Sequence, residues 1–104
     1  MPIRVNTESF DSEVLQNSGV TAADFYSDSC VPCKRMSPVL AEIEEEYPDV
    51  KLAKININYD GELAEKYGVS AAPTLIFFKD GKEEERVTGA VKKSVITDII
   101  DKLK

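Results

Sequence analysis

The segment Val20-Thr21-Ala22-Ala23-Asp24-Phe25-Tyr26 runs through Ser27-Asp28-Ser29 into Cys30-Val31-Pro32-Cys33, and its reading decides the fold. The first seven residues read as a buried strand, and from Cys30 onward the apolar residues recur at helical spacing. Both cysteines of the chain therefore fall in one four-residue unit where a strand turns into a helix. On the first turn of a helix, residues three apart lie about 5–6 Å from one another. Disulfide-bonded residues usually have Cα atoms about 4.4–6.8 Å apart, so the spacing suits a bridge. A helix start also presents unpaired N–H groups and a partial positive charge, which favour thiolate over thiol. These features point to thiol–disulfide exchange.

Other uses of two cysteines fit less well. A structural disulfide closing so short a loop restricts the unfolded chain very little. Structural zinc takes four ligands; this chain has two cysteines and no histidine, so zinc could bind only between two chains or with carboxylate help. The missing histidine also excludes covalent haem attachment of the C-x-x-C-H kind and a Cys–His nucleophilic pair. Chemically inert thiols remain the other reading. Neither a metal nor a bound cofactor is expected.

At 104 residues the chain is expected to form one domain spanning residues 1–104, long enough to bury a core without staples. With 42% hydrophobic and 31% charged residues it reads as an ordinary soluble globular protein, and a net charge of −6 argues against nucleic acid and anionic membrane surfaces. The N-terminal residues show no signal pattern and no apolar run approaches a membrane span. The expected location is cytoplasmic, where a C-x-x-C pair is kept reduced and is more often catalytic than architectural.

The remaining pattern alternates strands and helices. Residues 3–5 are expected as an edge strand. A helix capped by Thr7 is expected to run to about Gln16, with Phe10 and Val14 on one face and Asn17-Ser18-Gly19 as its stop. The long helix from the cysteines to about Tyr47 places Met36, Leu40, Ile43 and Tyr47 on one stripe, with a kink expected at Pro38. Residues 51–57 alternate as a strand, 62–67 form a short helix closed by Gly68, and 74–78 form the next strand. Asp80-Gly81 marks a hairpin returning through 82–87, and Val95, Ile96, Ile99, Ile100 and Leu103 mark a final helix. This order implies an α/β fold with a mixed sheet covered by helices on both faces. Acidic clusters at residues 42–46 and 83–85 read as solvated faces. Within the first buried strand Asp24 is unusual: burial raises a carboxyl pKa and lets it exchange a proton near neutrality. The alternative is an aspartate at a strand edge facing water.

The chain resembles the thioredoxin family nearly end to end. The matching residues are Asp24-Phe25 six before the first cysteine, Cys30-Val31-Pro32-Cys33-Lys34, Pro38, Ala53-Lys54-Ile55-Asn56, Tyr67-Gly68-Val69, Ala72-Pro73-Thr74, Phe78-Lys79-Asp80-Gly81 and Gly89-Ala90. The resemblance implies a five-stranded sheet of order 1-3-2-4-5 flanked by four helices. It implies a protein-disulfide reductase using a redox-active Cys30–Cys33 disulfide, with Cys30 as nucleophile and Cys33 as resolving thiol. Asp24 would accept the Cys33 proton and Lys54 would tune Asp24 by pairing with it. Val31, Pro32, Ala72, Pro73, Gly89 and Ala90 would form the substrate surface, with Ala72-Pro73 cis. Ordinary readings stand beside these: a solvated strand lysine for Lys54, a trans turn proline for Pro73 and a helix-entry glycine for Gly89. The implied partners are disulfide-containing proteins and a thioredoxin reductase, NADPH- or ferredoxin-linked, with a monomer as the expected state. Ser29, Val31 and Ala72 stand where the family usually has tryptophan, glycine and a larger aliphatic, which alters the docking surface. An uncharged Val31-Pro32 pair favours a reductant over an oxidant. Two alternatives remain: a dithiol donor dedicated to one reductase system, and a redox-inert binding module.

Overall fold

Strand and helix order follow from where the apolar period switches between two and 3.6 residues. The computed structural model describes residues 3–104. Among these the elements are β1 (Ile3–Arg4), α1 (Asp11–Leu15, wound as a π-helix), β2 (Val20–Tyr26), α2 (Val31–Glu46), β3 (Lys51–Asn56), α3 (Gly61–Lys66), β4 (Thr74–Lys79), β5 (Lys82–Thr88) and α4 (Lys93–Leu103). The sheet order is β1-β3-β2-β4-β5, as the resemblance implied. β1, β3 and β2 run parallel, whereas β4 and β5 are antiparallel additions.

Alternation along the strands sorts two cores. Ala23 and Phe25 of β2, with Ala53, Ile55, Ile76 and Phe78, meet Phe10, Val14, Leu63 and Ala64 on one side of the sheet. Val20 and Ala22, with Leu52, Leu75 and Phe77, meet Met36, Leu40 and Ile43 of α2 and Ile96 and Ile100 of α4 on the other. Each large apolar side chain buried this way contributes about 1.5–3 kcal/mol. Tyr47 and Leu103 are half-buried at the margins, and Val95 is 38% exposed, outside the stripe expected for the last helix. The long helix runs unbroken through Pro38.

The first helix differs from expectation. Thr7 is not its cap: both Thr7 N and Oγ1 donate to Asp60 Oδ1 at 3.0 Å. Asn6 and Ser9 cap reciprocally instead, Ser9 N donating to Asn6 Oδ1 at 2.8 Å and Asn6 N to Ser9 Oγ at 3.1 Å. The regular segment shrinks to five residues, and Gln16 N reaches back five residues to Asp11 O at 2.9 Å. Asp60 lies 53 residues away in sequence, so local pattern could not reveal its claim on Thr7. Other boundaries move by one or two residues. β1 ends at Arg4 although Val5 N still donates to Lys54 O at 2.8 Å, and β3 ends at Asn56 although Ile57 N donates to Tyr26 O at 2.8 Å.

β5 is an edge strand, and its bulge sets Glu84 between the pairs Phe77–Glu85 and Phe78–Glu83. The hairpin before it has positive φ at both Asp80 (+52°) and Gly81 (+83°), the conformation of a type I′ turn. Its tip docks on the loop leading into β2: Gly19 N donates to Asp80 Oδ1 at 2.7 Å and Asp80 N to Gly19 O at 2.9 Å. A Cβ on Gly81 would lie 2.0 Å from the Leu15 carbonyl oxygen, whereas one on Gly19 (φ +84°) would meet nothing within 4 Å. Gly19→Ala is therefore expected to cost about 1 kcal/mol for left-handed backbone alone. Gly81→Ala should cost about 3 kcal/mol or more, because the hairpin must also lift off. Urea unfolding of both variants measures the difference; equal losses would contradict the docked tip.

Candidate functional site

Two elements meet at the C-terminal end of β2. Side-chain alternation puts Asp24 on the same face as Val20 and Ala22, beneath α2, paired in register with Lys54 of β3 and Leu75 of β4. Asp24 is 4% exposed, and its buried Oδ1 has no hydrogen-bond partner among the described residues. Burial pushes its pKa up from 3.8 to about 6, and the Lys54 charge pulls it partly back. The Lys54 ammonium acts from a distance: it rests over the Tyr26 ring, 4.7 Å from the centroid, rather than in the direct pairing expected.

α2 begins directly after the loop that leaves β2. Cys30 is the extended N-cap (φ −84°, ψ 110°), Val31 and Pro32 occupy the first two helical positions, and proline loses nothing there because those N–H groups have no helical partner. Cys30 and Cys33 are joined in a disulfide with Cα atoms 5.2 Å apart. The Cys33 N–H donates to Cys30 Sγ at 3.1 Å. The two sulfurs have unequal surroundings: Cys33 is 5% exposed and Cys30 is partly open. Val31, at 58% exposure, stands beside the bridge. A cleft of about 170 Å3 lies between strand and helix; Asp24, Cys33, Ser37 and Lys54 line it, with Tyr26, Ser27, Asp28 and Lys34 at its sides. Its volume exceeds what a water molecule needs, and its lining supplies polar partners.

The start of β4 lies at the same end of the sheet, since Thr74 pairs with Phe25. The Ala72–Pro73 bond is cis. Pro73 O accepts from Gly89 N at 2.7 Å, and Gly89 has φ +89°, a conformation that favours glycine. Thr74 Oγ1 donates to Ala71 O at 2.7 Å, securing the loop from behind. Pro73 is buried, Ala72 half-buried and Ala90 exposed. The structure thus groups Asp24, Cys33 and Lys54 in one cleft, and ties Pro73 to Gly89 directly. Sequence reading missed Ser37, although it lies one helical turn beyond Cys33. It also missed the partnership of Asp28 with Asn56 and Asn58, for which two asparagines closing β3 were the available signal.

The family model described as thioredoxin matches residues 1–102. A thioredoxin of Chlamydia pneumoniae is 42% identical over 98 residues, covering 94% of this chain and 94% of the relative. Thioredoxin 1 of Synechococcus elongatus is 38% identical over 99 residues, covering 94% and 92%. The solved structure of a mutant thioredoxin from Halobacterium salinarum superposes with a TM-score of 0.91 at 34% identity, covering 98% of this chain and 89% of that one.

The folded chain holds the Asp24 proton more tightly than the unfolded chain does, so stability is highest with Asp24 protonated. It should fall as pH rises from about 4 to about 6 and then level off, because ionisation occurs at a lower pH in the unfolded chain. At about 1.36 kcal/mol per pH unit, the rise from 3.8 to about 6 corresponds to roughly 3 kcal/mol. Asp24→Asn is expected to be about 2–3 kcal/mol more stable than the native chain at pH 8, with that advantage gone near pH 4. Urea unfolding of the oxidised proteins across this range tests it; an equal or lower stability of the variant at pH 8 contradicts the buried carboxylate.

Proposed function

The chain belongs to the thioredoxin family and is a protein-disulfide reductase working by dithiol–disulfide exchange, and from that premise we propose how its residues divide the reaction. In the reduced chain the Cys30 thiolate attacks one sulfur of a substrate disulfide. The S–S bond breaks, the other substrate sulfur leaves as a thiolate and takes a proton, and Cys30 is joined to the substrate in a mixed disulfide. Cys33 then loses its proton and attacks Cys30 Sγ. The mixed disulfide breaks, the second substrate sulfur leaves and is protonated, and the Cys30–Cys33 bridge forms. Two electrons have passed from the cysteine pair to the substrate.

The unequal exposure of the two sulfurs supports this division, and carries the reading. Partly open Cys30 can reach a partner, and the Cys33 N–H that donates to its sulfur stabilises a thiolate there. Cys33, 5% exposed, is shielded from an incoming partner and adjoins the Cys30 sulfur. Asp24 is the proton acceptor for Cys33: it lines the same cleft, its pKa near 6 suits proton exchange at neutrality, and its Oδ1 accepts no hydrogen bond among the described residues. Lys54 keeps that pKa from rising further. Val31, Pro32, Ala72, Pro73, Gly89 and Ala90 form the substrate surface, the glycine allowing close approach of an extended partner backbone.

Family members act on disulfide substrates together with a thioredoxin reductase. For this chain we take the electron source to be an NADPH- or ferredoxin-linked reductase, the working form to be a monomer of one domain over residues 1–104, and the location to be cytoplasmic. Among the described residues no helix is long and apolar enough to cross a membrane.

Insulin reduction by dithiothreitol gives the direct assay. Cys30→Ser should abolish turnover, while Cys33→Ser should accumulate a mixed disulfide in cell extract that dithiothreitol releases. Asp24→Asn should slow resolution on the order of tenfold or more at pH 7. Normal turnover by Cys30→Ser, or an absence of captured partners with Cys33→Ser, would refute the assignment.

A further inference from the structure

The turn that carries the chain from β2 into Cys30 is held by a closed ring of three hydrogen bonds. Asp28 N donates to Asn58 Oδ1 at 2.9 Å, Asn58 N donates to Asn56 Oδ1 at 2.9 Å, and Asn56 Nδ2 donates to Asp28 Oδ1 at 2.8 Å. Inside the turn, Cys30 N donates to Ser27 O at 3.3 Å. Nothing in the exchange reaction itself requires this ring. We propose that Asp28 is a positioning residue for Cys30: clamped by Asn56 and Asn58 to the end of β3, it fixes the turn that keeps the sulfur at the helix cap.

The physical argument starts from the cap. Cys30 Sγ accepts from Cys33 N only while Cys30 stays extended at the N-cap, with φ −84° and ψ 110°. Asp28 precedes it by two residues, so freedom at Asp28 becomes freedom at the cap. Asn56 lies at the end of a strand paired with β2, Tyr26 opposite Asn56, and so offers a rigid anchor. The same clamp sets the Asp28 carboxylate beside the cleft that also holds Asp24 of β2, Lys54 of β3 and Lys34 of α2, with Arg35 one residue beyond. A negative charge there opposes a thiolate, while the clamp's geometry favours one. Charge and geometry therefore act in opposite directions, and a substitution can separate them.

This inference rests on Cys30 being the activated nucleophile. Reduced protein is alkylated with iodoacetamide across pH 4–9, and thermal melts confirm that each variant is folded. Asp28→Asn keeps the acceptor for Asn56 and the backbone donor to Asn58 but removes the charge. Its alkylation midpoint should move to lower pH, with the rate at pH 6 rising about two- to threefold. Asn56→Ala and Asn58→Ala release the clamp and should move the midpoint to higher pH, with the rate at pH 6 falling about two- to threefold. If Asn56→Ala does not fold, Asn58→Ala, which loses a single acceptor, decides the comparison. Unchanged profiles for the two asparagine variants, or a shift of all three variants in one direction, would overturn the proposal. A native Cys30 no more reactive than free cysteine is a different failure, one that removes the nucleophile assignment itself.

Discussion

The pairing of β2 with β3, which sets Asp24 opposite Lys54, is the constraint on which the site depends. β2 is hydrogen-bonded on both edges, to β3 and to β4, so its side chains have only the two faces of the sheet to occupy. A one-residue slip would turn Asp24 toward Phe10 and Val14 and bring Phe25 under α2. In the observed register the carboxylate lies beneath α2, 4% exposed, and meets solvent only through the narrow cleft between strand and helix. Its raised pKa is thus a consequence of strand alternation in a central strand, and the cost of burying it is borne by the two apolar cores on either side.

A helix that starts one short loop after such a strand gives the two sulfurs different surroundings. The first cysteine caps the helix and stays partly open, and the second is turned inward by helical geometry over the buried carboxylate. One short motif therefore supplies a partly open sulfur and a shielded one that shares a cleft with a buried carboxylate, the arrangement on which the proposed division of roles rests. The β4 entry completes this end of the sheet, where a hydrogen bond from Gly89 N to Pro73 O binds two loops into one wall.

Surface charge serves a different purpose. Most glutamates of the acidic clusters are exposed, as sequence patterning implied, with Glu44 and Glu85 half-buried, and several members have partners. Lys93 reaches Glu42 and Glu46, Arg86 reaches Glu83, and Lys102 reaches Glu85. These pairs lie in water and are screened, so they add little to stability. On β5 the charges have a clearer use: an edge strand bearing Lys82, Glu83, Glu84, Glu85 and Arg86 with a bulge discourages pairing with another chain.

Much of this was legible along the chain because the signals are local. Apolar periodicity marked the strands and helices, Asp80-Gly81 specified its turn through the backbone freedom of its second residue, and the cysteine spacing implied a bridge at the start of a helix. Sequence by itself thus determined the element order, the mixed sheet and the redox pair. The first helix was misread because Asp60 takes Thr7 from across the fold, leaving Asn6 and Ser9 to cap a shorter segment. Whether Asp24 faced water or the interior was open until the register of three strands and the seat of α2 were fixed. Lys54 likewise found the Tyr26 ring, and Asp28 found Asn56 and Asn58, through contacts between residues up to 30 positions apart. Only tertiary structure decided these, because burial, the field at a carboxylate and a hydrogen bond between distant loops depend on distances in space that no local period encodes.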